Sequence, residues 1–150
     1  MNQGKLESKG IELQAEGKWE SGFSGRLSYS YQQSKKQEEL TITNSPGSIV
    51  KGSLTVPLPL DKSFATIESL YNSARLNAAG EKIDGAIIVN LTLVNRDLLK
   101  GLDLSGSVYN LFDTRYAMPA GSDQTNSLGE NLRSIRQDGI TFRIKAAYRF

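Results

Sequence analysis

Glu12 and Glu16 are the two side chains whose type and spacing come nearest to a catalytic pair. Two carboxylates on one face can serve as general acid and general base. On a strand, residues four apart point to the same side at a separation of roughly 13 Å. Paired carboxylates in glycoside hydrolysis are at most about 9.5 Å apart. This pair is therefore too widely spaced to act together.

The sequence also lacks the residues that other kinds of catalysis need. The sequence contains no histidine and no cysteine. That removes the commonest acid–base group, the commonest zinc ligand and all thiolate chemistry. Phosphate-binding loops, metal-ligand spacings and nucleophile elbows are also missing from it. We predict that the chain is not an enzyme and uses no cofactor.

Basic side chains alternate with apolar residues along several stretches: Arg26, Lys51, Arg143, Lys145 and Arg149. If these stretches surround a lumen, the basic residues line it and favour anionic ligands such as iron chelates. They can equally hydrate the wall and pair with acidic residues such as Glu16, Glu68 and Asp103, which is the interpretation we favour. The net charge of +2 is too small to indicate nucleic-acid binding.

Residues 140–150 show this alternation most clearly. One side carries Ile140, Phe142, Ile144, Ala146, Tyr148 and Phe150, and the other carries Thr141, Arg143, Lys145, Ala147 and Arg149. Successive side chains of a strand point to opposite sides, so the pattern predicts a strand with one apolar and one basic face. Closure into a barrel protects such strands from pairing with other chains. In a membrane barrel the apolar side faces lipid and the polar side faces the lumen.

The alternation predicts seven strands in all, at residues 11–19, 23–31, 48–56, 64–73, 85–94, 102–111 and 140–150. Strands of soluble proteins are mostly about 5–6 residues long, whereas a tilted strand needs about 9–11 residues to cross a bilayer. The connections alternate between short (20–22, 57–63, 95–101) and long (32–47, 74–84, 112–139), and the end of the last one can extend the final strand. Membrane barrels have this arrangement of short periplasmic turns and long outer loops.

These observations predict an all-β fold: an antiparallel up-and-down transmembrane β-barrel segment. The smallest single-chain membrane barrels have about eight strands, which is more than the seven predicted here. We therefore expect further strands before the first one, with residues 1–150 forming the C-terminal portion of a larger barrel. Residues 1–9 have neither an apolar segment nor a small-residue cleavage site, so we expect no secretory signal peptide there.

Aromatic side chains gather near the ends of the predicted strands. We place Trp19, Phe23, Phe64, Tyr148 and Phe150 near the periplasmic ends, and Tyr29, Tyr31 and Tyr71 near the outer ends. Two such levels, an aromatic girdle, are expected where amphipathic rings lie in the two headgroup regions. Phe64 and Leu70 interrupt the alternation of their own strand, so its facing is the least certain.

Three segments resemble TonB-dependent outer-membrane receptors. Asn110, Leu111, Phe112, Asp113 and Tyr116 are similar to the N-L-F-D…Y signature near the end of these receptors. Residues 44–46 (N-S-P) and the strand that follows resemble a segment that leads into one of their barrel strands. The closing segment with Tyr148 and Phe150 is similar to the terminal aromatic signal that the barrel assembly machinery reads.

This resemblance implies a plugged barrel of about 22 strands in the outer membrane. It implies energised uptake of a scarce ligand, such as a ferric siderophore or cobalamin or another metal chelate. The implied partners are outer-membrane lipid, the barrel assembly machinery, and the TonB complex, reached through a plug that this chain lacks. The three long loops would form the ligand mouth.

The residues themselves leave two other functions open. One is an outer-membrane anchor or autotransporter-type translocator, and the other is a soluble β-barrel that binds small lipophilic molecules. For Asn110 to Asp113 we expect a structural role: they end a strand and shape the loop, with the Asp113 side chain capping a turn.

Overall fold

All described residues of the computed structural model, 6–36, 44–121 and 123–150, lie in strands or connections. In chain order the strands are β1 (Leu6–Lys18), β2 (Ser24–Lys36), β3 (Ser48–Pro57), β4 (Ser63–Asn72), β5 (Arg75–Leu76), β6 (Lys82–Ile83), β7 (Ala86–Leu99), β8 (Leu102–Tyr109), β9 (Ala117–Pro119), β10 (Ser134–Arg136) and β11 (Thr141–Tyr148). This part of the chain contains no helix long and apolar enough to cross a membrane.

Seven long strands form one antiparallel sheet in the order β1-β2-β3-β4-β7-β8-β11. Each long strand pairs with the next long strand of the chain, so the topology is up-and-down. The predicted all-β class and its seven strands are confirmed. Within the described ranges β1 and β11 are the two edges of the sheet, and they do not pair with each other.

The strand register sorts side chains into apolar and polar rows. One row across the sheet consists of Leu54, Ile67, Leu91, Val108 and Phe142. The adjacent row lies on the opposite face and consists of Glu16, Arg26, Ser53, Glu68 and Asn90. Because a one-residue slip would exchange the two faces, the alternation of the sequence specifies this register.

β1 and β2 are longer than the alternation predicts. They begin at Leu6 and end at Lys36, and Leu6 pairs with Lys36 at the far end of the hairpin. Residues 32–36, predicted to start a polar connection, therefore belong to a strand, because backbone hydrogen bonds continue the ladder after the apolar alternation has ended. The predicted connection continues through residues 37–43, which lie outside the described residues.

The connection between β7 and β8 is much tighter than the predicted turn at 95–101. β7 reaches Leu99 and β8 begins at Leu102. The register shifts between Asn95 and Leu99, a β-bulge in which Asp97 has a positive φ of 63°. Gly101 follows at φ 82°, a conformation that favours glycine.

Two further boundaries differ from the predictions. β8 ends at Tyr109 and not at residue 111, because Asn110 turns the backbone with a φ of 51°. The segment before the last strand does not extend that strand. Instead β10 pairs with β9 inside the predicted connection 112–139. In the same way β5 pairs with β6 inside the predicted connection 74–84, so both long loops contain a short hairpin.

Candidate ligand-facing surfaces

The polar face of the sheet is concave across β1 to β4 and β7. It encloses a cavity of about 440 Å³ whose lining includes Glu12, Gln14, Arg26, Ser28, Lys51, Glu68 and Asn90. Arg26 donates to Glu16 at 2.9 Å, and the Thr55 and Thr66 hydroxyls are hydrogen-bonded at 2.9 Å. Charges of both signs share this surface, so it fits the hydrated, ion-paired wall better than a purely electropositive one.

The other predicted basic wall residues divide into two groups. Arg149 donates to Asp103 at 2.9 Å, as the ion-pairing interpretation requires. Arg143 and Lys145 lie on the same face, opposite Ser107 and Ser105, and form no ion pair with another described residue. The β11 edge of the sheet therefore keeps uncompensated positive charge on the polar face.

The apolar face has no protein partner in the described residues. Ile144 is 83% exposed, Phe142 73% and Leu27 57%. Among the described residues, Ala120 and the prolines Pro46 and Pro119 are the apolar residues that are buried. A soluble β protein would pack such side chains into a core, and a contiguous exposed apolar face of this kind marks a membrane or protein interaction surface.

Five aromatic residues of the predicted girdle lie on or beside the apolar face. Tyr29 and Tyr71 both face Val50 across the β2–β3 and β3–β4 ladders, and Tyr31 is two residues further along β2. Trp19 folds back over Gly17, since a Cβ at that glycine would lie 2.8 Å from the indole ring. Phe23 lies in the turn before β2 and is 42% exposed.

Phe64 differs from these five residues. By the alternation of β4 it shares the polar face with Thr66 and Glu68, opposite Val94. Its ring lies under the Arg96 guanidinium, 5.6 Å from the ring centroid, a cation–π arrangement. Phe64 therefore lies on the polar face, as the interruption of the alternation at this residue indicates, and its place in the girdle stays a prediction.

Tyr148 and Phe150, the predicted assembly signal, make an edge-to-face contact with ring centroids 5.2 Å apart. The Arg149 backbone N–H donates to the Gly101 carbonyl at 2.8 Å, and its guanidinium reaches Asp103. The β7–β8 turn thus holds the backbone of the last residues while the Phe150 ring stays fully exposed.

That turn carries a second ion pair. Lys62 donates to Asp97 at 2.7 Å, and the other Asp97 oxygen accepts from the Gly101 N–H at 2.7 Å. The hydrogen bond to Asp97, and then its negative charge, raise the pKa of Lys62 above the usual lysine value. The two short turns at this end of the sheet are therefore tied together.

Asn110 is the structural centre of the N-L-F-D…Y motif. It is only 4% exposed, and its side chain donates to the Thr114 and Asp138 carbonyls while accepting from the Thr114 N–H. Its own N–H donates to the Asn90 side chain at 3.0 Å. Every one of these bonds stabilises the point where the chain leaves β8.

The remaining motif residues continue this turn. Asp113 has a φ of 50° and accepts from the Ile140 N–H at 3.0 Å, which joins the start of the loop to its end. Leu111 donates its N–H to Val89, the Tyr116 carbonyl accepts from Gln137, and Phe112 is 71% exposed. These contacts fit the turn-capping role expected for Asp113.

Asn77 is a buried connection between loops that sequence reasoning missed. It is 1% exposed, its side-chain oxygen accepts from the Ala79 and Glu81 N–H groups, and its amide donates to the Arg133 carbonyl. Arg133 also pairs with Glu81 at 2.8 Å. This loop clasp (Asn77, Glu81 and Arg133) fastens the β5–β6 hairpin to the β9–β10 loop.

Asn77 follows a polar stretch with no motif, so the sequence carries no signal for it. In residues 6–36, 44–121 and 123–150 no group of three or more potential metal-ligating side chains is gathered in one place.

Long up-and-down strands with one exposed apolar face and one polar concave face are the construction of a β-barrel wall. Among solved structures, the chain is similar to the ferric-catecholate import receptor Fiu from Escherichia coli K12 in its closed form. The TM-score is 0.75 at 20% sequence identity, over 98% of this chain and 21% of Fiu. Neither protein-family profiles nor curated protein sequences give a match.

At 20% identity this likeness shows the fold. It confirms the predicted barrel-segment architecture, and it is consistent with the predicted resemblance to part of a TonB-dependent receptor. The chain spans about one fifth of the length of Fiu.

Proposed function

We propose that residues 1–150 form the C-terminal portion of a TonB-dependent receptor in the outer membrane, which imports a scarce ligand such as a ferric siderophore or cobalamin. The apolar face contacts lipid, and the concave polar face lines the lumen of a barrel of about 22 strands. The plug and the upstream strands lie outside this chain.

The observation that carries the proposal is the combination of fold and facing. A seven-stranded sheet similar to a portion of an import receptor exposes its apolar side chains on one face and keeps hydrogen-bonded polar side chains on the other. A soluble small-molecule binder needs the reverse, with apolar side chains inside. Asn77 and Asn110 are polar but buried in the loops, which supports loops of defined structure.

Each partner in the proposal has a surface. Lipid contacts the apolar face, with a girdle formed by Trp19, Phe23, Tyr29, Tyr31 and Tyr71. The barrel assembly machinery reads the last strand with Tyr148 and Phe150. The TonB complex acts through the plug, and the metal chelate enters between the long loops. The proposal includes no nucleic-acid partner.

The test is uptake by cells that carry or lack the complete gene for this chain. With radiolabelled ferric catecholate and cobalamin as probes, we expect the gene to increase uptake of at least one, and a protonophore to abolish the increase, because outer-membrane import draws on inner-membrane energy. If the purified complete protein stayed monodisperse in buffer without detergent, the proposal would be refuted. An increase insensitive to the protonophore would refute energised import.

A further inference from the structure

A basic cleft lies between the two loops that the Asn77 clasp joins. It has a volume of about 540 Å³, and its lining includes one aromatic side chain, Tyr116, and four charged side chains: Lys82, Asp84, Arg115 and Arg136. Small-molecule sites commonly enclose about 300–1,000 Å³. The space is therefore sufficient for a ligand of many atoms.

Positive charge dominates this cleft. Three cationic side chains and one carboxylate line it, and that carboxylate, on Asp84, lies 3.9 Å from Lys82. Arg115 and Arg136 make neither an ion pair nor a side-chain hydrogen bond to any other residue in the described ranges. By contrast, Arg26 and Arg149 on the sheet are both paired with carboxylates.

The walls of the cleft are held in place by backbone and side-chain bonds. Arg136 pairs with Ala117, and Gln137 donates to the Tyr116 carbonyl at 3.0 Å, so the two arginine-bearing segments run side by side. Lys82 belongs to β6, which the clasp and the contact of Arg75 with Met118 hold against this segment. The charges thus converge on one fixed space.

We propose that the basic cleft binds an oxyanion, a phosphate or carboxylate group presented by a larger molecule. Guanidinium groups bind such groups in a bidentate manner, and Tyr116 adds a hydroxyl donor or a stacking surface. The source of the oxyanion is either a soluble anionic ligand or the phosphate headgroup of a membrane lipid. The inference rests on the proposed function only for placing the cleft at the outer end of the sheet.

The test uses the complete protein in a zwitterionic detergent and two probes. Inorganic pyrophosphate, titrated by calorimetry, represents the soluble source. Micelles doped with phosphatidic acid represent the lipid source. The variant Arg115→Gln with Arg136→Gln removes the two unpaired arginines, and Arg143→Gln with Lys145→Gln removes the same charge from the polar face of β11.

We expect the first pair to weaken binding of at least one probe by about a hundredfold, roughly tenfold for each charge-assisted contact. The control pair should change affinity less than threefold, and circular dichroism should show that both variants are folded. Selective loss for pyrophosphate identifies a soluble ligand, and selective loss for phosphatidic acid identifies a lipid.

Two results would overturn the inference: undiminished binding of both probes by the cleft variant, or an equal loss in both pairs. Its fate is separable from that of the import proposal. If the cleft binds oxyanions but the protein gives no energised uptake, the inference holds and the import proposal is refuted. If the protein gives energised uptake but the cleft does not bind oxyanions, import holds and the inference is refuted.

Discussion

The two faces of the sheet satisfy their side chains in different ways. On the polar face, hydroxyls and charges find partners across the ladders: Thr55 with Thr66, Thr92 with Ser107, and Arg26 with Glu16. On the apolar face, side chains such as Ile144 and Leu27 are largely exposed. Apart from Arg143 and Lys145, these polar side chains find their partners within the sheet, whereas the apolar face depends on whatever surrounds it.

Because of this difference, much of the stability of the sheet must come from the lipid or detergent that covers its apolar face. Fully burying a leucine or isoleucine side chain contributes about 1.5–3 kcal/mol. In the sheet as it stands that contribution is largely unrealised on the apolar face, because lipid or detergent must supply the burial. The comparison therefore predicts that chemically similar substitutions have unequal effects on the two faces.

The largest difference is expected between two neighbouring residues of β2 that lie about midway between the aromatic residues Phe23 and Tyr31. Leu27 is on the apolar face and Ser28 lines the polar cavity. Leu27→Lys should lower the free energy of unfolding from lipid vesicles by about 2–4 kcal/mol, the cost of a cation at the bilayer midplane. Ser28→Lys should change it by less than about 0.5 kcal/mol.

Urea unfolding of the complete protein in vesicles measures both changes. Because the two variants add the same charge one residue apart, Ser28→Lys controls for charge and for strand propensity. Equal losses in the two variants would contradict the assignment of the apolar face to lipid.

A smaller difference is expected within the apolar face, where only part of the surface is packed. A Cβ at Gly17 would lie 2.8 Å from the Trp19 indole, whereas a Cβ at Gly106 would meet nothing within 4 Å. Gly17→Ala should therefore displace the indole and destabilise the protein by about 1–3 kcal/mol. Gly106→Ala should be neutral or stabilise it by about 0.5–1 kcal/mol, because glycine weakens a strand.

The same vesicle unfolding assay decides this prediction. Both substitutions add one methyl group to the apolar face of a strand, so they differ only in what the methyl meets. A neutral Gly17→Ala would show that the indole does not pack on this glycine in the membrane.

Alternation predicted the faces because it is a local property. A period of two places Phe142 and Ile144 on one side wherever the strand lies, and cross-strand pairing then follows, since opposite residues share a face. The motif at Asn110 was likewise predictable as a turn, because asparagine and aspartate side chains bond to nearby backbone and tolerate positive φ.

What sequence reasoning missed depends on distant partners. Asn77 acquires its role from Arg133, and Arg136 reaches the cleft through pairing with Ala117. The extension of β2 through polar residues is visible only in the ladder, where β1 supplies the hydrogen bonds. The contact of Phe64 with Arg96 likewise depends on the β-bulge of the adjacent β7, in which Arg96 lies.

The smallest effect is expected on the polar face, where Thr55 and Thr66 share a hydrogen bond at 2.9 Å. Thr55→Val should reduce the free energy of unfolding by about 1 kcal/mol, because it leaves the partly buried Thr66 hydroxyl without its partner. The double variant Thr55→Val with Thr66→Val should recover part of that loss, since replacing both partners removes the unsatisfied group.

A double-mutant cycle in vesicles measures this coupling. If the two hydroxyls satisfy each other within the sheet, they are coupled, so the double variant must lose less than the sum of the two single variants. Additive losses would mean that lumen water satisfies each hydroxyl separately. In that case the polar face, like the apolar one, would depend on its surroundings, and the contrast between the faces would lie in the kind of solvent that each one meets.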